Sequence, residues 1–298
     1  GFIVRNSGDS LDHEHAGITG LAAQATLEDN RLENVLFGIY LKNAPNSVVR
    51  NNLVLSKNLE IGRRGDSIRL WYCERALVEG NTVRNGRDVI IWYAPHSIVR
   101  NNVVESSRYG LHLMSTDDLL VESNILRQNS VGIYVMYGSG FTVRNNLLYD
   151  NHGPSGYGIG LKDVDNFVAE GNRIVSNRVG LYADIAPRSS AVTARFTHNL
   201  FAYNEIGVML LPLVQHTVYT GNVFQDNHEQ MTVSGSGKLV NNAWSQAGRG
   251  NYWSDYAGFD VDANGVGDLP YRVQSFYEDL LQTYPELRLF QLSPATQA

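Results

Sequence analysis

Gly110-Leu111-His112-Leu113-Met114, answered one repeat later by Gly132-Ile133-Tyr134-Val135-Met136, is the stretch that decides the fold. In an extended chain successive side chains point to opposite faces. Leu111, Leu113, Ile133 and Val135 therefore share one face, and His112, Met114, Tyr134 and Met136 share the other. The first face implies a core, and the second an outer surface that carries chemistry.

The same rung recurs as Gly17-Ile18, Gly38-Ile39-Tyr40-Leu41, Ser67-Ile68-Arg69-Leu70, Asp88-Val89-Ile90-Ile91, Gly158-Ile159-Gly160-Leu161, Gly180-Leu181-Tyr182-Ala183 and Gly207-Val208-Met209-Leu210. A second marker runs in phase with it, an apolar-x-x-Asn signature at Asn6, Asn30, Asn52, Asn81, Asn102, Asn124, Asn146, Asn172, Asn199, Asn222 and Asn242. Successive members lie 20 to 29 residues apart, most often 22. A rung strand, a turn and a second short strand such as Ser97-Ile98-Val99-Arg100 suit one coil of a parallel β-helix. Leucine-rich repeats have a similar period but need a Leu-x-x-Leu-x-Leu frame, which is absent.

The expected fold class is all-β: a single-stranded right-handed parallel β-helix, a solenoid of about ten coils of ~22 residues. Asn at a corner tolerates left-handed backbone angles, and stacked amides can hydrogen-bond from coil to coil. Each coil adds about four or five inward Ile, Leu or Val side chains, at about 1.5–3 kcal/mol each when fully buried. No coil can fold alone. The coils are expected over residues 1–247 and a cap over 248–298. Gly248-Arg249-Gly250-Asn251-Tyr252-Trp253-Ser254-Asp255-Tyr256 opens that cap. Ser275 with Glu278 predicts a short helix over Phe276 to Tyr284, stopped by Pro285, in an apolar tail that includes Leu280, Leu281 and Leu292. Loops are expected to leave the helix at 56–65, 150–157 and 184–191, where the repeat stretches.

Lys and Arg total 24 against 30 Asp and Glu, for a net charge of −6, and there is no basic run. Nucleic acid and anionic membrane surfaces are poor partners for such a chain. Cys73 is the single cysteine, which excludes an internal disulfide and a thiolate metal cluster. The longest apolar run, near 207–214, is far short of the ~20 residues that span a bilayer, so no direct membrane span is expected. The chain opens at Gly1 in mid-pattern, without an initiator Met or signal peptide, and reads as a mature or truncated product.

With the Gly of each rung at position zero, one outward ladder is Tyr40, Arg69, Ile90, His112, Tyr134, Gly160, Tyr182, Met209. The next, at position four, is Lys42, Trp71, Trp92, Met114, Met136, Lys162, Asp184, Leu211. Stacked residues lie ~4.8 Å apart and outward neighbours within a strand ~6.6 Å apart. Met114 and Met136 with His112 can therefore converge on one ion, and soft sulfur with nitrogen favours Cu(I). The plainer reading makes them apolar surface residues beside an exposed histidine. Trp71, Trp92 and Tyr134, with Tyr93 and Tyr182 close by, could stack on sugar rings while Arg69 or Lys162 neutralises a uronate. That describes a polysaccharide-binding or polysaccharide-active (lyase- or hydrolase-like) β-helix, or else an aromatic ladder that only stabilises the sheet. A third class is a structural docking scaffold.

A glycosidic acid pair would have to come from Asp88, Asp117, Asp118, Asp163 or Asp165. His13-Glu14-His15 places two imidazoles on one side of an extended segment. Asp260-Val261-Asp262-Ala263-Asn264-Gly265-Val266-Gly267-Asp268 matches the first nine positions of an EF-hand-like loop, with Asp260, Asp262, Asn264 and Asp268 as calcium ligands. Position twelve is Tyr271 where a bidentate Glu normally closes the shell. The alternative there is an Asx-rich turn.

The repeated Gly-Ile-Tyr-Leu-Lys rungs, Gly8-Asp9-Ser10-Leu11, and Gly250-Asn251-Tyr252-Trp253-Ser254-Asp255 running into Asp260 through Tyr271 resemble the NosD family over nearly the whole chain. That family comprises periplasmic β-helix proteins of nitrous oxide reductase maturation. The resemblance implies a non-catalytic protein that works with an ABC-type ATPase and permease pair and a copper-carrying lipoprotein to supply copper to apo nitrous oxide reductase. The family's His-x-Met rung is similar to His112-Leu113-Met114, and its Met-Tyr to Met136-Tyr137. Its Met-Tyr-Thr-Asn continuation is Met114-Ser115-Thr116-Asp117 here, with Ser115 in place of Tyr. The apolar C-terminal tail would face the permease.

Overall fold

The computed structural model describes residues 1–235, 239–272 and 284–290. Short strands stack in parallel ladders around one apolar core, forming a β-solenoid of about nine turns. The first ladder holds the rungs, from Ala16–Gly20 and Phe37–Lys42 through Asp88–Trp92 and Tyr109–Met114 to Ile206–Leu210 and Glu229–Val233. A second begins at Thr26–Glu28 and runs through Val48–Arg50, Leu77–Glu79 and Ile98–Arg100. The third begins at Ile3–Arg5 and ends at Tyr252–Trp253. Val131–Arg144 and Tyr157–Glu170 bend through the corner and serve the first two ladders in one strand.

The alternation read from the rungs is the alternation found. Leu111, Leu113, Ile133, Val135, Ile159, Leu161 and Leu181 are all buried, each worth about 1.5–3 kcal/mol. The rung glycines let coils approach: a Cβ on Gly132 would meet the carbonyl oxygen of Gly158 at 2.6 Å. Loops leave the solenoid around 57–67, 150–156 and 185–193, and the first carries a short 3₁₀ turn, Ile61–Arg63.

The corner asparagines divide two tasks that the sequence pattern joins. At the corner between the second and third ladders, the left-handed residue is Asn51 (φ 55°), Gly80 (65°) or Asn101 (56°), and the residue after it turns inward. Those inward residues, Asn30, Asn52, Asn81, Asn102, Asn124, Asn146, Asn172, Asn199, Asn222 and Asn251, form a buried amide ladder. Within it each Nδ2 donates to the Oδ1 of the next coil's asparagine at 2.8–3.0 Å.

Two members of the sequence pattern lie elsewhere. Asn6 stands at the corner after the third ladder, left-handed and exposed, accepting from Asn34 Nδ2 at 2.7 Å. Asn242 stands at the corner leading into the second ladder, where its Oδ1 accepts from Thr217. Asn251 takes the place expected of Asn242. The pattern also misses a second amide ladder, Asn129, Asn151, Asn177, Asn204 and Asn227, at the corner leading back to the rungs.

The second ladder carries a charge register on its outward side: Glu28, Arg50, Glu79, Arg100, Glu122, Arg144 and Glu170 are successive partners. Arg50 meets Glu28 at 2.8 Å, Arg100 meets Glu79 at 2.6 Å, and Arg144 meets Glu122 at 2.7 Å.

Aromatic rings close the C-terminal end of the core. Phe224 stacks on Trp253 and Trp253 on Tyr271, both at 4.2 Å, while Tyr219 stacks on Trp244 at 4.3 Å. The helix expected over Phe276 to Tyr284 lies, Tyr284 apart, outside the described residues, and Pro285–Phe290 forms a short 3₁₀ helix. Among the described residues no helix is long and apolar enough to cross a membrane.

Candidate functional site

Strand register assembles the outward ladders in the order the rungs predict. Ile90 pairs with Arg69 and with His112, and His112 with Tyr134. Tyr134 pairs with Gly160, and Gly160 with Tyr182. One step along the strands, Trp71, Trp92, Met114, Met136, Lys162 and Asp184 follow one another on successive coils. His112, Met114 and Met136 thus occupy two neighbouring coils on one face. The ladder's gap at Gly160 is covered by the Tyr134 ring, for a Cβ there would lie 2.7 Å from Tyr134 Cδ2.

His112 is not the exposed histidine of the plainer reading. It is 7% exposed, and its Nδ1 lies 3.1 Å from Asp88 Oδ2. Asp88 is fully buried and also takes a two-pronged hydrogen bond from Arg108, whose Nε donates to Oδ1 at 2.9 Å. Burial alone would raise the Asp88 carboxyl, but hydrogen bonds from His112 and Arg108, with the Arg108 charge, outweigh it and hold the group below the usual carboxylate range. An ionised carboxylate only accepts, so Nδ1 carries a proton, and in the neutral ring Nε2 is the nitrogen with the free lone pair. That Nε2 is buried and has no hydrogen-bond partner.

A register shift between Asp88 and Ile90 inserts one extra residue on the Tyr109–Met114 side and pairs Asp88 with Tyr109. One rung earlier lies a second buried carboxylate, Asp66, held by Arg87 at 2.9 Å. Burial first, and then the Asp88 charge, push it up.

Tyrosines wall the site. Tyr109 meets the His112 ring edge-on at 5.0 Å, and Tyr134 lies parallel to it at 6.4 Å. Burial pushes the phenols of Tyr109, Tyr134 and Tyr157 above their ordinary range and that of Tyr182 up to about 12. This face is partly dry.

The sugar-face residues are engaged differently than their pattern suggests. Arg69 is wrapped by Tyr40, Trp71 and Trp92, at 5.0, 5.3 and 5.8 Å from their ring centroids, and pairs with Glu14 at 2.6 Å. Trp71 and Trp92 pack edge-to-face at 4.2 Å, and Lys162 lies 4.0 Å from Asp184. His13 and His15 do stack, at 5.3 Å, but from a turn rather than an extended segment, with Glu14 left-handed at φ 49°. Four of the five carboxylates named for an acid pair, all but Asp163, have separate partners. Asp88 belongs to His112 and Arg108, and Asp117 accepts from the Ser139 amide. Asp118 lies 3.5 Å from His96, and Asp165 meets Arg188 and the Ser189 amide.

In the cap loop, Asp260 accepts from the amides of Asn264 and Gly265, Asp262 from Asn264, and Asp268 from the Val261 amide. Tyr271 is turned away to Trp253 and to Asp255, which its hydroxyl meets at 3.0 Å. Among the described residues no three His, Cys, Asp or Glu side chains converge as a metal cluster, so a site on the rungs rests on thioethers.

Sequence reasoning weighed Asp88 only as a glycosidic acid and missed Arg108, Tyr109, Arg87 and Asp66. Their signal was present: Gly65-Asp66, Arg87-Asp88 and Arg108-Tyr109 stand at or just before the start of three successive rungs.

Fold and face together define a parallel β-solenoid protein with a nitrogen and sulfur donor set on one outer face. The family profile described as "Periplasmic copper-binding protein (NosD)" matches residues 54–258, and the chain belongs to that family. A stretch of 103 residues is 36% identical to a Pseudomonas aeruginosa protein named "Probable ABC transporter binding protein NosD". It covers 35% of this chain and 23% of that relative. The relative of the same name from Stutzerimonas stutzeri is 35% identical over 100 residues, 34% of this chain and 22% of that one. The matched stretch thus spans about a quarter of the curated relatives. The A-module of the Azotobacter vinelandii mannuronan C-5 epimerase AlgE6 superposes with a TM-score of 0.53 at 17% identity, over 73% of this chain and 64% of that one. A tailspike protein mutant of E. coli bacteriophage HK620 in complex with pentasaccharide gives 0.55 at 12%, over 84% and 58%. At such identities the likeness is one of fold.

Proposed function

We propose that this chain is a non-catalytic copper carrier that holds Cu(I) at His112, Met114 and Met136 and passes it on during maturation of nitrous oxide reductase. The observation that carries the reading is the orphaned Nε2 of His112, buried, on a ring oriented through Nδ1 by Asp88, and set beside two methionines on adjacent coils. Thioethers bind Cu(I) without losing a proton, so neither uptake nor release needs one. The relatives' name supports an ABC-type ATPase and permease pair as partner. A copper-carrying lipoprotein as donor and the apo reductase as recipient follow from the family resemblance, as does a periplasmic site of action, which agrees with the family's description.

The sugar-binding reading is weaker because Arg69, its best anion anchor, is already paired with Glu14 and enclosed by aromatic rings. A separate structural role for calcium attaches to Asp260, Asp262, Asn264 and Asp268. Its support is the EF-hand-like spacing of these residues in the sequence, and calcium-dependent thermal stabilisation lost in Asp260→Ala would establish it.

Anaerobic Cu(I) titration against a colorimetric chelator tests the main reading. One equivalent should be bound, and Met114→Ala with Met136→Ala should cost on the order of 100-fold or more in affinity, about 2.7 kcal/mol. A chain that cannot compete with the chelator, or a double variant that binds as well as the parent, would refute it.

A further inference from the structure

We infer that Arg108 is a positioning residue that sets the charge selectivity of this face, which admits a soft monovalent ion, Cu(I) or Ag(I), and rejects divalent ions. The selectivity rests on the carrier reading above and names the class of ion that the same site accepts.

Asp88, the carboxylate bonded to His112, is fully occupied. An ionised carboxylate offers about four lone-pair positions. Arg108 Nε donates to Oδ1 at 2.9 Å and Arg108 Nη2 to Oδ2, while the Tyr109 amide reaches Oδ1 at 3.3 Å and His112 Nδ1 lies 3.1 Å from Oδ2. Half of these bonds come from Arg108. While its guanidinium stays in place, Asp88 has no lone pair left for a metal.

Charge at this face is cancelled in the same way. On the two outward ladders from Arg69 to Asp184, Arg69 pairs with Glu14 at 2.6 Å and Lys162 with Asp184 at 4.0 Å. At the rung starts Asp66 pairs with Arg87 at 2.9 Å and Asp88 with Arg108. The donors His112, Met114 and Met136 are themselves neutral. The self-energy of an ion taken out of water grows with the square of its charge, so a divalent ion pays about four times what a monovalent one does here. Thiolates and carboxylates normally offset that cost. Here Cys73 is buried in the core, and among the described residues no three His, Cys, Asp or Glu side chains converge.

Arg108 is the member of these pairs on which selectivity turns. Its guanidinium lies 4.4 Å over the Tyr109 ring, which meets the His112 ring edge-on at 5.0 Å, so it braces both groups that hold the imidazole. Without it a fully buried anion would stand 3.1 Å from His112 Nδ1 with lone pairs to give. A divalent ion would then replace the Nδ1 proton and take imidazole and carboxylate together. A neutral imidazole has one free lone pair, so such an ion and Cu(I) exclude each other.

Competition tests the proposal. Cu(I) occupancy is followed anaerobically with a Cu(I)-selective colorimetric chelator while a second ion is added, so Zn(II) held at Asp260 or at His13 and His15 does not enter the readout. In the parent chain Ag(I) should displace Cu(I), and about a hundredfold excess of Zn(II) should not. In Arg108→Gln the same Zn(II) should lower the apparent Cu(I) affinity about tenfold, whereas Arg108→Lys, which keeps the charge, should resist it as the parent does. Lys162→Gln, at a side chain 37% exposed, stands in if Arg108→Gln does not fold. It leaves Asp184 without its cation two coils from Met136, and Zn(II) should then lower the apparent affinity about threefold. Zn(II) that displaces Cu(I) from the parent, or that fails to do so in the folded Arg108→Gln or its stand-in, overturns the selectivity and leaves the carrier reading intact. Absence of Cu(I) binding by the parent chain overturns both.

Discussion

The charge ladder Glu28, Arg50, Glu79, Arg100, Glu122, Arg144, Glu170 and the rung ladder Tyr40, Arg69, Ile90, His112, Tyr134, Gly160, Tyr182 run along one solenoid on the same coils. In the first, every position answers its neighbour with the opposite sign at the surface. In the second no two successive side chains are alike, the polar groups are drawn into a partly dry layer, and His112 Nε2 goes unsatisfied. Where a face has only to hold register, cheap and repetitive pairs suffice. Where the proposed ligand face lies, the repeat is broken, and the broken position His112 is held by Asp88 of the neighbouring rung.

The largest expected effect comes from removing that support. Asp88 is the anion shared by Arg108 and His112 inside the fold. Asp88→Ala should destabilise by about 3–5 kcal/mol, because it leaves the half-buried Arg108 guanidinium and the buried His112 N–H without a counterpart. Asp88→Asn, which keeps the shape, should cost less stability and weaken Cu(I) binding about 10–100-fold, the usual range for a residue that orients a ligand. Denaturant midpoints together with chelator competition separate the two consequences. The carboxyl is held below its ordinary value, so its contribution is complete above the unfolded-state pKa of about 3.9 and fades as pH falls through the lower folded-state value. Acid titration of Asp88→Asn should therefore lack that late loss. An Asp88→Ala chain as stable as the parent would show that the rung face needs no more support than the charge ladder.

Next in size is the amide ladder that both faces share. Asn124 Oδ1 accepts from the Asn102 amide at 3.0 Å and from Asn102 Nδ2 at 2.9 Å, while its own Nδ2 donates to Val99 O and Asn146 Oδ1. Asn124→Ala strands buried donors on one side and acceptors on the other and should cost about 1–3 kcal/mol by urea denaturation. If Asn6→Ala costs as much, then the asparagines matter as turn formers and not as a buried ladder.

The same pair of residues shows what the sequence could and could not convey. Rung register was legible because a glycine, an apolar alternation and a fixed spacing all point to one phase, and the ladder through Arg69, His112 and Tyr134 appears in the structure as read. Asn6 and Asn242 misled because a four-residue string does not say which of three corners it occupies. Asn124 is buried only because a left-handed Ser123 precedes it and turns it inward. Likewise His112 was legible as outward but not as sheltered. Its shelter comes from Asp88 on the preceding coil, 3.1 Å from its Nδ1, and from the rings of Tyr109 and Tyr134 packed against the imidazole. Alternation carries no information on such side-chain reach.

The smallest effect belongs to the charge ladder itself. Glu122 lies 2.7 Å from Arg144 and 4.0 Å from Arg100, with both arginines more than a third exposed. Exposed pairs of this kind contribute about 0.2–1 kcal/mol and are screened at a Debye length of about 8 Å in physiological salt. Glu122→Gln should shift the denaturation midpoint slightly at low salt and not at high salt. Glu122→Lys, which sets three cations in a row, should shift it further, again in a salt-dependent way. Neither change should alter Cu(I) affinity, since the charge ladder faces away from the rungs. A salt-insensitive loss in Glu122→Gln, or a change in copper binding, would mean that the two faces are coupled through the shared strand Val131–Arg144, whose ends carry Tyr134 with Met136 and Arg144.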